Sequence, residues 1–237
     1  KGQRPVADVL PALRRQINPA DVGALDRMIG LEPLAADATW ELRALDGRVI
    51  VQRVQPLVGE DAQSGHIWFH DDVTVERQTE QRAYQALHDP LTRLLNRRGM
   101  QEALQAAIAR AEAEGRQVSL MFIDLDDFKH ANDIAGHRAG DEILVGVAHA
   151  LQELVRQGER VARLGGDEFA VLCPGIDAQE AGAIAARLVK AVSGLRFAAG
   201  GHLLRVGCSV GVATFPEDAR TGDDLIACAD TAMYQAK

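Results

Sequence analysis

Two short stretches of this sequence concentrate carboxylates where the chain itself must hold them together. The continuous apolar run Val118 to Ile123 ends abruptly in Asp124-Leu125-Asp126-Asp127. A second group, Gly165-Gly166-Asp167-Glu168, forms a tight turn between the strand-like runs Arg160 to Leu164 and Phe169 to Cys173, and its glycines permit close backbone approach. Clustered carboxylates repel one another unless cations or strong donors compensate. If the strands are neighbours, Asp124 and Asp167 converge at one edge of a sheet, an arrangement suited to two magnesium ions and a triphosphate. Most loop acids only mark solvated turns. That reading is preferred for Asp126 or Asp177 taken singly, but not for Asp124 with Asp167.

The elements that must position these acids follow from periodicity. Arg97 to Glu114 is Ala-rich and helical, closed by Gly115, and Val118 to Ile123 is a strand. Gly140 to Gln157 is a helix with Ile143, Leu144, Val147, Leu151, Leu154 and Val155 on its inner side. Ala178 to Val192 is helical, Leu203 to Thr214 a strand, and Thr221 to Lys237 a last helix. Helices mixed with a sheet that includes a hairpin predict an α/β sandwich with antiparallel pairing, α+β in character. Upstream, Pro19 to Ile29 reads as a short helix. Thr39 to Leu45 and Arg48 to Leu57 alternate around Asp46-Gly47, a strong hairpin signal. His66 to His70 makes a third strand, and 72–87, free of Gly and Pro, makes a connecting helix. Its pairing with a second copy is a hypothesis that its sparse apolar residues support only weakly.

With 237 residues and a formal net charge of −8, the chain has apolar content for real cores and no basic footprint for nucleic acid or an anionic membrane. An acidic protein can still bind nucleotides, because divalent ions bring the positive charge. No apolar run approaches bilayer-spanning length, and the start does not resemble a signal peptide. Cys173, Cys208 and Cys228 lie in apolar stretches without metal-ligand spacing, so reduced core thiols and a cytoplasmic location are expected.

The segment Arg163-Leu164-Gly165-Gly166-Asp167-Glu168-Phe169 resembles the signature of the GGDEF family of diguanylate cyclases. Three further segments resemble that family in the same order. They are His88 to Arg98 at its opening, Phe122 to Lys129 with Asn132-Asp133, Gly136-His137 and Gly140-Asp141, and the closing helix Ala229 to Lys237. The resemblance covers 88–237 and implies a palm-like mixed sheet flanked by helices, similar to nucleotide cyclases, with a short basic stretch expected past Lys237. It implies two Mg2+ per active site, with Mn2+ as an alternative, held by Asp124, the Leu125 carbonyl and Asp167. Asn132 and Asp141 would meet the guanine edge, with His137 beside them. Main-chain amides around Asp127 and Phe128, together with Lys237, would hold phosphates. Asp167, with Glu168 close by, would assist deprotonation. The implied reaction joins two GTP into cyclic di-GMP with release of pyrophosphate, across a homodimer of such domains. The residues also admit plainer roles: Asn132 and Asp141 as helix caps, and Lys237 as a solvated lysine.

The family's product-inhibition motif, Arg-x-x-Asp, is matched by Arg156-Gln157-Gly158-Glu159, with an acid one methylene longer. A solvated helix-end arginine is an equal reading. Residues 1–71, with Trp40, Asp46-Gly47 and Trp68, followed by Asp72-Val73-Thr74-Val75-Glu76-Arg77, resemble the later, antiparallel half of a PAS domain whose opening strands would precede Lys1. Regulation by this part is the expectation, with no ligand inferred. Two competing functions are a GTP-binding module that regulates a neighbour, such as a C-terminal cyclic di-GMP phosphodiesterase domain, and a dimerising interaction domain.

Overall fold

A computed structural model describes residues 15–23, 38–58, 64–199 and 202–237. The chain divides into two compact units, Lys1–Arg82 and Ala83–Lys237.

In the first unit, β1 (Ala38–Arg43), β2 (Val49–Val58) and β3 (Ser64–Asp72) form an antiparallel sheet in that order. Gly47, at φ 87°, supplies the positive angle that the β1–β2 turn needs. The segment after β3 ties helix α1 (Thr74–Leu87) to the sheet: the Thr74 hydroxyl accepts from Val49 N–H at 2.9 Å, and Arg77 pairs with Glu41 at 2.8 Å. No residue of α1 is buried. The helix expected over Pro19 to Ile29 begins as a 3-10 turn, Pro19–Asp21; residues 24–37 lie outside the described residues.

The second unit is built on a four-stranded sheet in the order β5 (Arg160–Gly165), β6 (Glu168–Pro174), β4 (Val118–Asp126), β9 (Gly207–Phe215), every ladder antiparallel. A parallel bridge, Leu95 with Ala162, adds the mixed element. Along β4, side chains alternate between two cores. Met121, Ile123 and Leu125 pack with α3 (Phe128–Ala135), α4 (His137–Leu154) and α5 (Ala178–Gly194). Val118, Leu120 and Phe122 pack with α2 (Arg97–Glu114) and α6 (Gly222–Ala236). Buried Cys173 and Cys208 belong to the first core, where burial pushes each thiol up to about 12, so they are inert as nucleophiles.

Three boundaries differ from the sequence reading. Strand β4 runs on through Asp124, Leu125 and Asp126, because Ser209, Cys208 and Gly207 of β9 pair with them. The run Leu203 to Thr214 is two strands: β8 (His202–Leu204) pairs with β7 (Phe197–Ala199), and β9 starts afresh at Gly207. Helix α4 spans His137–Leu154 rather than Gly140 to Gln157, and α3 precedes it.

Candidate active site

The sheet end defined by the last residues of β4 and the β5–β6 turn collects the acids. Asp124 and Glu168 are cross-strand partners, so their side chains leave the same face of the sheet, the one covered by α2 and α6. Gly165 and Gly166, with φ 150° and 52°, make the turn. The Leu125 amide N–H donates to the Asp167 carbonyl at 3.3 Å, which ties the turn to β4. The Leu125 side chain is buried in the core.

Lys237, which follows α6, brings its ammonium to 2.7 Å from Asp124 Oδ1. The Asp124 carboxylate holds this lysine above its ordinary pKa, and Asp126 and Asp167 add to the effect. The atom is buried, and the Lys237 ammonium is its one cationic partner among the described residues. Among the described residues no three His, Cys, Asp or Glu side chains gather tightly enough to enclose a metal by themselves. Magnesium is commonly held by one or two carboxylates together with substrate phosphates and water. Asp126 accepts from Ser209 Oγ at 3.0 Å.

Asn132 is the fifth residue of α3 and Asp141 the fifth of α4. Neither is a cap, which corrects the plainer reading: the N-cap positions belong to Asp127 and Gly136. Asn132 Oδ1 is the second buried polar atom here without a partner. It lies over Gly140, where any Cβ would collide with it. Asp141 and His137 are exposed on α4. Asp127 adopts φ 60° and gives the start of α3 no side-chain cap, which leaves the amides near Phe128 open to an anion. Glu159 turns back on the chain: its carboxylate accepts from the Arg156 amide at 2.7 Å, while the Arg156 side chain is exposed beyond the helix end.

Two contacts went unread in the sequence. Arg97, which opens α2, reaches Glu168 at 3.0 Å. Arg163 donates to the Gly166 carbonyl at 2.7 Å and pairs with Asp89 at 3.2 Å, bracing the acid-bearing turn from the opening segment. Burial alone would raise the Asp89 carboxyl, but hydrogen bonds from Thr92 N–H and Oγ1, with the Arg163 guanidinium, outweigh it and hold the group below its ordinary value. A lowered folded-state pKa stabilises the fold above the unfolded value of about 3.9, and that stabilisation disappears as pH falls through the folded value. Asp89→Asn is therefore expected to cost about 2 kcal/mol at neutral pH, the gap from wild type closing progressively below about pH 4. Urea unfolding at a series of pH values checks this, and a gap that ignores pH would remove the charge from the explanation.

Residues 86–237 match the family described as "Diguanylate cyclase, GGDEF domain". The bifunctional diguanylate cyclase/cyclic di-GMP phosphodiesterase MucR of Pseudomonas aeruginosa is 41% identical over 152 residues, 64% of this chain and 22% of MucR. The probable diguanylate cyclase DgcE of Escherichia coli is 36% identical over 174 residues, 73% of this chain and 16% of DgcE. The chain thus spans less than a quarter of either relative. A crystal structure of a sensory box/GGDEF family protein from Caulobacter crescentus superimposes with a TM-score of 0.60 at 45% identity, covering 63% of this chain and 97% of that one. A sheet that gathers acids at one end beneath helices on both faces is the frame of a nucleotide-cyclase-like domain. The chain belongs to the GGDEF domain family of diguanylate cyclases.

Proposed function

We propose that the protein condenses two GTP into cyclic di-GMP, one GTP held by each of two GGDEF domains that face each other. The observation that carries this reading is a pair of buried oxygens, Asp124 Oδ1, met by the Lys237 ammonium, and Asn132 Oδ1, without a hydrogen-bond partner. One sits among carboxylates and the other on a helix beside the acids' strand, where a cation and a base would complete them.

Asp124, Asp167 and the Leu125 carbonyl would hold divalent ions; bound there, such ions supply Lewis-acid stabilisation of phosphate charge and lower the pKa of a ribose hydroxyl. The Asn132 carbonyl oxygen and the Asp141 carboxylate accept from guanine N1–H and the 2-amino group, donors that adenine does not present in this pattern. Open amides at the start of α3 and the Lys237 ammonium bind the phosphate tail. Asp167, with Glu168, accepts the proton of the 3′-hydroxyl of one GTP as its oxygen attacks the α-phosphorus of the other. The bond to the β-phosphate oxygen breaks and pyrophosphate leaves. A second, reciprocal attack closes the ring, which is why each domain needs a partner.

Residues 1–71 are read as a PAS-like sensor, 72–87 as its signalling linker and 88–237 as the catalytic domain. The proposed site of action is the cytoplasm; no described helix is long and apolar enough to cross a membrane. The bifunctional name of MucR supports a phosphodiesterase domain elsewhere in the parent protein. The Arg156 to Glu159 turn is a weakened product-binding site, because its acid is spent on the Arg156 amide.

The test is incubation of the chain with GTP and Mg2+, with nucleotides separated by chromatography, beside Asp167→Ala. Cyclic di-GMP is expected from the wild type alone. GTP bound but never converted would favour a regulatory GTP-binding module.

A further inference from the structure

The first turn of α2 holds Arg97 and Arg98 and no acid. Cations there oppose the helix dipole, whose amino end favours negative charge, so each arginine needs compensation. Arg98 finds it within its own helix, 2.9 Å from Glu102. Arg97 finds it across the fold, its Nη2 3.0 Å from Glu168 Oε2. Glu168 is the cross-strand partner of Asp124, and Asp124 is met by Lys237. Four acids stand at this sheet end, Asp124, Asp126, Asp167 and Glu168, with one cation posted on each member of the central pair. Asp126 and Asp167 have no ion pair among the described residues, so the group keeps negative charge for divalent cations.

We propose that Arg97 is a positioning residue for the metal site: it holds the Glu168 carboxylate and competes with a divalent cation for it. A metal that engages Glu168 must share the carboxylate with a guanidinium on Oε2 and sit near a fixed positive charge. Arginine stays charged at every accessible pH, so the competition is built in. Metal capture is weak until a triphosphate contributes further oxygens and charge. The inference rests on the reading that these acids hold divalent ions.

The test is a Mn2+ titration of the whole chain without nucleotide, free ion read by electron paramagnetic resonance. The proteins are wild type, Arg97→Met, Arg97→Lys, Glu168→Gln and the double variant Arg97→Met with Glu168→Gln. The Arg97 stem lines a cavity of about 110 Å³ with Met100 and Leu164, so methionine keeps the packing while removing the charge. Arg97→Met is expected to bind Mn2+ about five- to tenfold tighter. Arg97→Lys stays near wild type because the positive charge is kept. In the Glu168→Gln background the gain from Arg97→Met shrinks, because the contested carboxylate charge is gone. Equal or weaker binding by Arg97→Met, with wild type still binding, overturns the competition and leaves the metal reading intact. Failure of wild type to bind Mn2+ even with GTP present overturns both.

Discussion

Gly211→Ala is expected to lower the stability of the C-terminal unit by about 3 kcal/mol. Gly211 is a buried residue of β9, paired with Phe122 of β4, and α6 lies directly on it. A Cβ at this position would run into the Ala229 carbonyl oxygen and the Met233 amide nitrogen. Both are main-chain atoms of a helix, so no side-chain rotation relieves the overlap, and the helix must lift as a body. Lifting it opens the contacts of Leu225, Ala229 and Met233 with their core and draws Lys237 away from Asp124. Gly222, at the start of the same helix, is the internal contrast: a Cβ there would meet Leu104 Cδ2 at 3.4 Å, an ordinary contact. Gly222→Ala should stay within about 0.5 kcal/mol of wild type. Helical circular dichroism should show the Gly211→Ala transition about 6–12 °C lower. Both tryptophans, Trp40 and Trp68, lie in the other unit, so fluorescence supplies a control transition that stays in place. Coincident melting of wild type and Gly211→Ala would mean that the helix is not seated this closely.

Such close seats are invisible in sequence, and they mark where sequence reading stops. Local physics was legible: Gly115 ends α2 in the left-handed conformation, Thr221 caps α6, and Asp46-Gly47 turns β1 into β2. The acid cluster was legible too, since three carboxylates after an apolar run have few structural uses, but the cross-strand partner of Asp124 is Glu168, where the sequence had pointed to Asp167. Pairing that depends on distant chain was not legible. The charges of Asp124 and Asp126 read as a strand end, yet β9 carries the ladder through both. Helix α3, eight residues long and opened by a residue at φ 60°, is too short to display a period and lacks a capping signal. The ion pairs Arg97–Glu168 and Asp89–Arg163 span more than seventy residues. Only the first left a local trace, two arginines at the wrong end of a helix dipole.

Gly140→Ala is expected to weaken GTP binding by about 10- to 100-fold while leaving the fold nearly as stable as wild type. The contrast with Gly211 lies in what stands in the way. At Gly140 the obstructing atoms are Oδ1, Cγ and Nδ2 of Asn132, the end of a side chain that can swing aside. The cost to folding is therefore that of one displaced rotamer, about 1 kcal/mol or less. The cost to recognition is larger, because the swing removes the acceptor that α3 holds ready, its Oδ1 buried and without a partner. A site that keeps such an oxygen poised gains a hydrogen bond with little ordering cost when guanine arrives, and loses that advantage once the amide turns away. Calorimetric titration with GTP and with ITP separates the two sides of the base. On the proposed reading Asn132 and Asp141 together meet N1–H and the 2-amino group, and ITP lacks the latter, so wild type should prefer GTP and Gly140→Ala should lose most of that preference. An unchanged GTP affinity in a folded Gly140→Ala protein would show that the Asn132 amide does not meet the base. The guanine contact would then have to come from Asp141, exposed on the neighbouring helix.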